Sequence, residues 1–361
     1  VAARKTEMTD RQRIEALLDR QKPDRVPLWP FSAGGFSSVY SNISIADGYN
    51  KPEKAIAAQR KTCQDFGWVF TPRMGYASFG GWEFGGDIKW PSSEFDQAPV
   101  VTRYPVQTEE EAWNLKIPDV AKAGIIPLMT TLNKMAAQEE HDSKPVKNFA
   151  YVGGSFTRAC NIAGTENFCR WLIKNPDVSH HLLRMVTDFL VQLAQYWKDQ
   201  FGTENVLVMA ASEASTANTM ISPGHFEEFA YPYLKEISEK VLAMGYKHIY
   251  SHICGDQNAN LPYWRHINFG DPGIISIGHE IELETAGEYF PDHIILGNME
   301  PAIIQTGTPE EVYECSVKVI EKGKKLSGGF IFSPGCELPP RSNPENVMAM
   351  TRAVNDFGWY H

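Results

Sequence analysis

Val206-Leu207-Val208-Met209-Ala210-Ala211, an amphipathic stretch from Pro223 to Met244, and then His248-Ile249-Tyr250-Ser251-His252-Ile253 form the unit that decides the fold. Two short apolar runs flank a segment whose apolar positions recur at helical spacing. A strand, a crossover helix and a second strand pair in parallel, because antiparallel neighbours need only a tight turn between them. The unit recurs on both sides. Further apolar runs lie at Val26 to Phe31, Trp68 to Pro72, Phe149 to Gly153, Ile274 to Ile277, His293 to Leu296 and Gly329 to Ser333. Amphipathic stretches cover Pro52 to Phe66, Leu128 to Gln138, Val178 to Gln200 and Glu310 to Lys324. Thr9-Asp10-Arg11-Gln12 and Thr308-Pro309-Glu310-Glu311 read as capping boxes, and Asn343-Pro344 sets a cap before a first-turn proline. Eight strands alternating with helices predict an α/β fold, a (β/α)8 TIM barrel, as one domain over residues 1–361 with no linker to divide it. An open doubly wound sheet is the alternative, but no Gly-x-Gly-x-x-Gly or phosphate-binding loop supports it.

One interval breaks the rhythm. Between the second and third expected strands, residues 73–105 form an insertion containing Gly75-Tyr76-Ala77-Ser78-Phe79-Gly80-Gly81-Trp82-Glu83-Phe84-Gly85-Gly86. Its aromatics suit a lid or a substrate wall over the barrel mouth, and its glycines suit hinges. A hairpin that plugs the barrel is the other reading.

Catalytic residues of such barrels gather at the carboxyl ends of the strands. There the fifth run ends in Ser251-His252-Ile253-Cys254-Gly255-Asp256, and the last run is followed by Pro334-Gly335-Cys336-Glu337. Residues two apart in an extended chain face the same way, so His252 and Cys254 can address one point. Barrel closure brings Cys336 to the same rim. One imidazole and two thiolates suit zinc, with a coordination position left for substrate. Taken alone, the His-x-Cys pair reads as packed core, and the Gly-Cys after the last run on the same rim turns the reading to a metal site. Glu213, after the fourth run, is a candidate catalytic or metal-associated carboxylate. Asp256 and Glu337 are either orienting neighbours or solvated loop acids. His279, Glu280, Asn298 and Glu300 follow the sixth and seventh runs, where barrel active-site groups sit.

Composition narrows the function. Lys and Arg total 34 against 44 for Asp and Glu, a formal charge of -10, which argues against nucleic acid and anionic membrane as partners. No run approaches the length of a membrane span, and no signal-peptide pattern stands at the start, so the expectation is a cytoplasmic protein. Six cysteines are too sparse for a disulfide scaffold in a chain of 361 residues, which leaves free thiols or metal ligands.

Several segments together carry a family resemblance. Arg11-Gln12-Arg13-Ile14-Glu15-Ala16-Leu17-Leu18 through Asp24-Arg25-Val26-Pro27, then Ile221-Ser222-Pro223 with Phe226, Gly297-Asn298-Met299-Glu300-Pro301, and Gly328-Gly329-Phe330-Ile331 resemble the uroporphyrinogen decarboxylase superfamily. The resemblance spans nearly the whole chain and implies a (β/α)8 barrel. The decarboxylase itself carries an arginine-rich motif near its first strand for the substrate's propionates. Here that region reads Trp29-Pro30-Phe31-Ser32-Ala33-Gly34-Gly35-Phe36, without arginine. His252, Cys254 and Cys336 instead look like the zinc-ligand motif of the corrinoid methyltransferases in the same superfamily. Glu213 matches that group's acidic position only approximately.

The resemblance implies zinc as cofactor and a corrinoid (cobalamin) carried by a separate corrinoid-binding protein. The chain lacks the Asp-x-His-x-x-Gly motif that would ligate cobalt itself. The expected reaction moves a methyl group between a small methylated substrate and cobalt. Trp29, Phe31, Tyr76, Trp82 and Phe84 can wall a methoxylated aromatic, with His279 as a further substrate contact, which favours O-demethylation. A small sulfonated thiol, as in transfer to coenzyme M, would want a basic pocket. A metal-free lyase of the decarboxylase type is the remaining alternative.

Overall fold

Six of the eight expected strands form one parallel ladder. The computed structural model describes residues 8–31, 34–93, 96–139 and 147–360. Its strands are β1 (Asp87–Lys89), β2 (Val100–Arg103), β3 (Asn148–Gly153), β4 (Val206–Ala210), β5 (Ile249–Ile253), β6 (Ile274–Ile277), β7 (Ile294–Met299) and β8 (Phe330–Pro334). β1 and β2 pair antiparallel inside the insertion, and β3 to β8 pair parallel in sequence order. A parallel sheet built this way needs helices outside it, and its strands are apolar on both faces.

The first two expected strands need correction: neither joins a regular ladder. Pro27 and Pro30 each remove an N–H from the segment Val26 to Phe31, so a continuous ladder cannot form. The segment still runs beside β8, with Leu28 bridged parallel to Phe332. Trp29 N donates to Phe332 O at 3.0 Å, and Phe332 N donates to Pro27 O at 3.0 Å. In Trp68 to Pro72 the chain is bonded to the preceding helix instead. Trp68 N donates to Cys63 O at 2.8 Å, and just beyond the segment Arg73 N donates to Gln59 Oε1 at 2.8 Å.

The closed arrangement shows in the core, which divides in two. One cluster draws a side chain from each of eight successive segments: Trp29, Val69, Phe149, Leu207, Tyr250, Ile274, Ile294 and Ile331. Ile14, Leu17 and Leu18 of the helix Asp10–Leu18 join it. The alternate strand residues, such as Val208, Ile249, Ile275 and Phe330, pack outward against the helices in the other cluster. Eight segments sharing an interior set that is distinct from the helix-facing set give the layered filling of a barrel. Tyr250 faces inward, so the two-residue period also turns His252 inward, at the carboxyl end of β5.

Outside the sheet lie the helices Pro52–Phe66, Ile126–Ala137, Pro176–Phe201, Pro309–Gly323 and Pro344–Phe357, close to the expected bounds. The stretch from Pro223 to Met244 is two helices, Pro223–Phe229 and Tyr231–Ala243. Pro232 accounts for the break, since proline is accepted in a first turn and not in a helix interior. Among the described residues no helix is long and apolar enough to cross a membrane.

Candidate metal centre and cavity

The carboxyl ends of β4, β5, β6 and β8 bring the candidate ligands to one place. Cys254 N donates to Glu213 O at 3.1 Å, and Glu213 N donates to His252 O at 3.2 Å, which ties the ends of β4 and β5 together. Gly335 N donates to Met299 O at 2.7 Å and so fixes the turn that presents Cys336. The donor atoms of His252, Cys254 and Cys336 all lie within 4.8 Å of one another. No other group of three or more His, Cys, Asp or Glu side chains among the described residues converges in this way.

Local chemistry matches a tetrahedral metal site. His252 Nδ1 lies 2.9 Å from Ser276 Oγ, its register partner on β6. That leaves Nε2, which is buried and has no hydrogen-bond partner. A ligating histidine is commonly held through its other ring nitrogen in this manner. The two sulfurs are 3.8 Å apart. This is too long for a disulfide, and it equals the separation of about 3.8 Å expected for two sulfurs each ~2.3 Å from a tetrahedral ion. Cys254 donates to Cys336, which pushes the Cys254 thiol up, with burial adding to the effect. The same bond holds Cys336 well below the ordinary thiol range against burial, with His252 assisting. Cys336 is therefore the readier of the two to meet a metal as a thiolate, and the donor set fits zinc.

A cavity of about 150 Å³ opens beside these ligands. Phe31, Tyr76, Phe149, Tyr151, Met74 and Met209 supply apolar wall, and Arg73, Arg158, Thr157, Glu213 and Glu337 supply polar wall. A volume of that order holds about one benzene-sized ring.

Glu213 reaches the cavity from a constrained setting. Its carboxylate accepts from Phe156 N at 2.8 Å, Thr157 N at 2.7 Å and Thr157 Oγ1. Those amides open the helix Ser155–Ala163, which has no capping side chain of its own. Glu213 thus serves that helix as a cap from a distant strand. Gly154 makes room, since a Cβ there would sit 2.4 Å from Glu213 Oε1. Burial raises the Glu213 pKa, opposed by the Thr157 and Phe156 bonds and by Arg158.

The other expected residues divide. Phe31 and Tyr76 line the cavity, whereas Trp29, Trp82 and Phe84 do not. Trp29 lies edge-on to Tyr250 in the barrel interior, Trp82 packs on Trp90, and Phe84 packs on Phe189. Of the insertion, residues 73–77 form cavity wall. The rest is pinned to the body by the buried Glu83, which accepts from Tyr76 Oη, Gly80 N and Ile125 N. Asn298 lies outside the cavity lining and donates to Gly278 O at 3.3 Å and Ile281 O at 2.7 Å. His279 is exposed, 3.5 Å from Glu280, and also outside the lining. Asp256 caps its own loop by accepting from Asn258 N. Glu337 lines the cavity, and its Oε1 is shielded and without a partner. Burial and the adjacent Cys336 raise its pKa to about 7.

Sequence reasoning missed Ser276, Arg73, Arg158 and Thr157. Ser276 was recoverable from register, as the inward residue of β6 opposite His252. Arg73 was recoverable as a charge at the carboxyl end of the second barrel segment.

Comparison with known proteins agrees with this architecture. Residues 9–357 match the family described as uroporphyrinogen decarboxylase (URO-D). A methylcobamide:CoM methyltransferase, MtbA, of Methanosarcina acetivorans is 25% identical, covering 98% of this chain and 99% of that protein. A uroporphyrinogen decarboxylase of an Anaeromyxobacter species is 24% identical, covering 94% and 97%. The solved structure of a methyltransferase from Methanosarcina mazei superposes with a TM-score of 0.80 at 20% identity, covering 97% of this chain and 99% of that one. It shares the fold. Since the family match takes in nearly all of the sequence, this chain belongs to the uroporphyrinogen decarboxylase family.

Proposed function

We propose that the protein is a zinc-dependent methyltransferase that exchanges a methyl group between a small substrate in the cavity and the cobalt of a corrinoid on a separate protein. The convergence of His252 Nε2, Cys254 Sγ and Cys336 Sγ at the end of a mostly apolar cavity carries this reading. Zinc held there would supply Lewis acidity, favouring the anionic form of the sulfur or oxygen that gains or loses the methyl group. Ser276 engages His252 Nδ1 and leaves Nε2 free to ligate. Phe31, Tyr76 and Phe149 exclude water from the reacting atoms.

Two substrate classes remain in view. A small thiol as methyl acceptor is supported by the cationic side chains Arg73 and Arg158 in the lining, and by relatives named as CoM methyltransferases. In that direction S–CH3 forms, Co–CH3 breaks and the thiol proton leaves. A methoxylated aromatic as donor is supported by four aromatic rings around a space sized for one more. The decarboxylase reading is disfavoured by volume, since sites for large ligands run to ~300–1,000 Å³.

Metal analysis with turnover tests the proposal. The purified protein is expected to hold about one zinc, and Cys254→Ala or Cys336→Ala to lose both zinc and methyl transfer while the fold survives. Transfer would be followed by the cobalt spectrum with a corrinoid protein and a panel of thiols and methoxyarenes. Full turnover after chelation, or in both variants, defeats the assignment.

A further inference from the structure

Outside the metal centre, two more of the free cysteines meet. Cys160 lies in the helix Ser155–Ala163 and Cys169 in the next helix, Thr165–Lys174. Only Gly164 separates the two helices, and its φ of +80° lets the chain turn back there. The rings of Phe156 and Phe168, both fully buried, meet edge-on at 5.1 Å and hold the helical hairpin together. Cys160 stands one helical turn after Phe156, and Cys169 directly follows Phe168. The two side chains therefore share the seam between the helices, where the thiols hydrogen-bond to each other.

Their surroundings differ. Cys160 is 1% exposed, and burial keeps it a protonated thiol by raising its pKa well above the ordinary range. Cys169 is only half-buried. Its neighbour Arg170 is exposed, and Ile173, one turn further on, is 73% exposed, so a small molecule in solvent can approach Cys169. The hydrogen bond from Cys160 lowers the Cys169 pKa against the effect of burial. An accessible sulfur with thiolate character beside a protected second thiol is the arrangement in which a cysteine oxidises selectively. The remaining cysteines lack it. Cys63 is shut in, its thiol pushed up to about 12 by burial and bonded to Val69 O. Cys254 and Cys336 belong to the metal centre. A metal does not account for the Cys160 and Cys169 pair, because among the described residues no third His, Cys, Asp or Glu converges on it.

We infer that Cys160 and Cys169 form an oxidative modification site, a dithiol that a hydroperoxide converts reversibly to a disulfide. The Cys169 sulfur attacks one peroxide oxygen, the O–O bond breaks, and the departing oxygen takes up the thiol proton and leaves as water or an alcohol. Cys169 is then a sulfenic acid. The Cys160 sulfur attacks it, the S–S bond forms, the S–O bond breaks, and the hydroxyl leaves as water with the Cys160 proton. The two sulfurs lose two electrons in all, and these reduce the peroxide. A dithiol reductant returns them by exchange. The inference uses neither the metal nor the cavity, so it stands apart from the methyl-transfer reading.

Peptide mapping of the zinc-loaded protein after hydrogen peroxide provides the test. Trypsin cuts after Arg158 and Arg170, so both cysteines fall in one peptide, residues 159–170. After oxidation and alkylation that peptide is expected to carry no alkyl group and to be two hydrogens lighter than its reduced form. Treatment with a dithiol before alkylation should restore the doubly alkylated peptide. Its oxidation should run at least about tenfold faster than that of Cys63 or Cys315. Cys169→Ser should slow the loss of the Cys160 thiol at least about tenfold, since no accessible sulfur remains to react first. Cys160→Ser should leave Cys169 as a sulfenic acid that dimedone captures. A wild-type peptide that stays doubly alkylated after peroxide overturns the inference, even if neither variant folds. So does a disulfide that joins Cys169 to any cysteine other than Cys160, or a Cys169→Ser protein whose Cys160 oxidises at the wild-type rate.

Discussion

Ser276 is the residue on which the geometry of His252 depends. Its hydroxyl lies 2.9 Å from Nδ1 and leaves the buried, unpartnered Nε2 as the ring nitrogen free to ligate. Ser276→Ala should leave the fold intact and weaken zinc binding about tenfold, within the ~10–100-fold losses usual for such supporting contacts. Competition against a chromophoric chelator measures this, and unchanged affinity would mean that packing alone orients the ring. At this scale His252, Cys254 and Cys336 were legible because a two-residue period and barrel closure dictate where they meet. Arg73 was legible only as a charge at the carboxyl end of the second barrel segment, and its burial was not. An arginine is ordinarily exposed, and only the convergence of Trp29, Phe31, Phe149 and Tyr250 from four separate segments gives its charge an interior place.

Among the elements, the helix Ser155–Ala163 shows how a strand end can complete a distant helix. Its first amides have no local cap and turn to the Glu213 carboxylate. Glu213→Ala should cost about 1–2 kcal/mol, as the loss of a cap does, measured by urea denaturation. Zinc stoichiometry should stay at about one per chain. Loss of zinc would instead place the carboxylate among the ligands. The strands β3 to β8 were readable to within a residue at nearly every end because burial on both faces leaves uninterrupted apolar runs, although β7 runs three residues beyond its expected end, to Met299. Proline obscured the rest: Pro27 and Pro30 turn an apolar run into a segment that pairs only locally, and Pro232 divides a continuous amphipathic pattern into two helices. The insertion's aromatics were visible, but their targets were not. Which ring meets the cavity and which meets Trp90 or Phe189 depends on where the chain folds back.

At the scale of the whole molecule, the barrel separates a chemical end from a structural end. The ligands and the cavity occupy the carboxyl ends of the strands. The helix Asp10–Leu18 contributes Ile14, Leu17 and Leu18 to the barrel interior. It is secured by Arg13 to Asp10 and Asp24, both at 2.6 Å, and by Arg25 to Asp10 at 2.8 Å. Residues 358–360 reinforce this region, with Val26 N donating to Gly358 O at 2.9 Å and Tyr360 N to Asp24 O at 3.0 Å. Leu17 is 5% exposed. The fit is close: a Cβ on Gly329, whose φ is +96°, would sit 2.6 Å from Leu17 Cδ2. Leu17→Ala removes interior volume that the rigid barrel cannot easily refill, so it should lower unfolding free energy by about 2–4 kcal/mol. Zinc content and methyl-transfer rate should be unchanged under conditions where the variant stays folded, because Leu17 touches neither the candidate ligands nor the cavity. Denaturant titration beside metal analysis separates the two effects. A variant that remains folded but sheds zinc would show that the filling of the interior and the seating of the ligands are coupled through the strands.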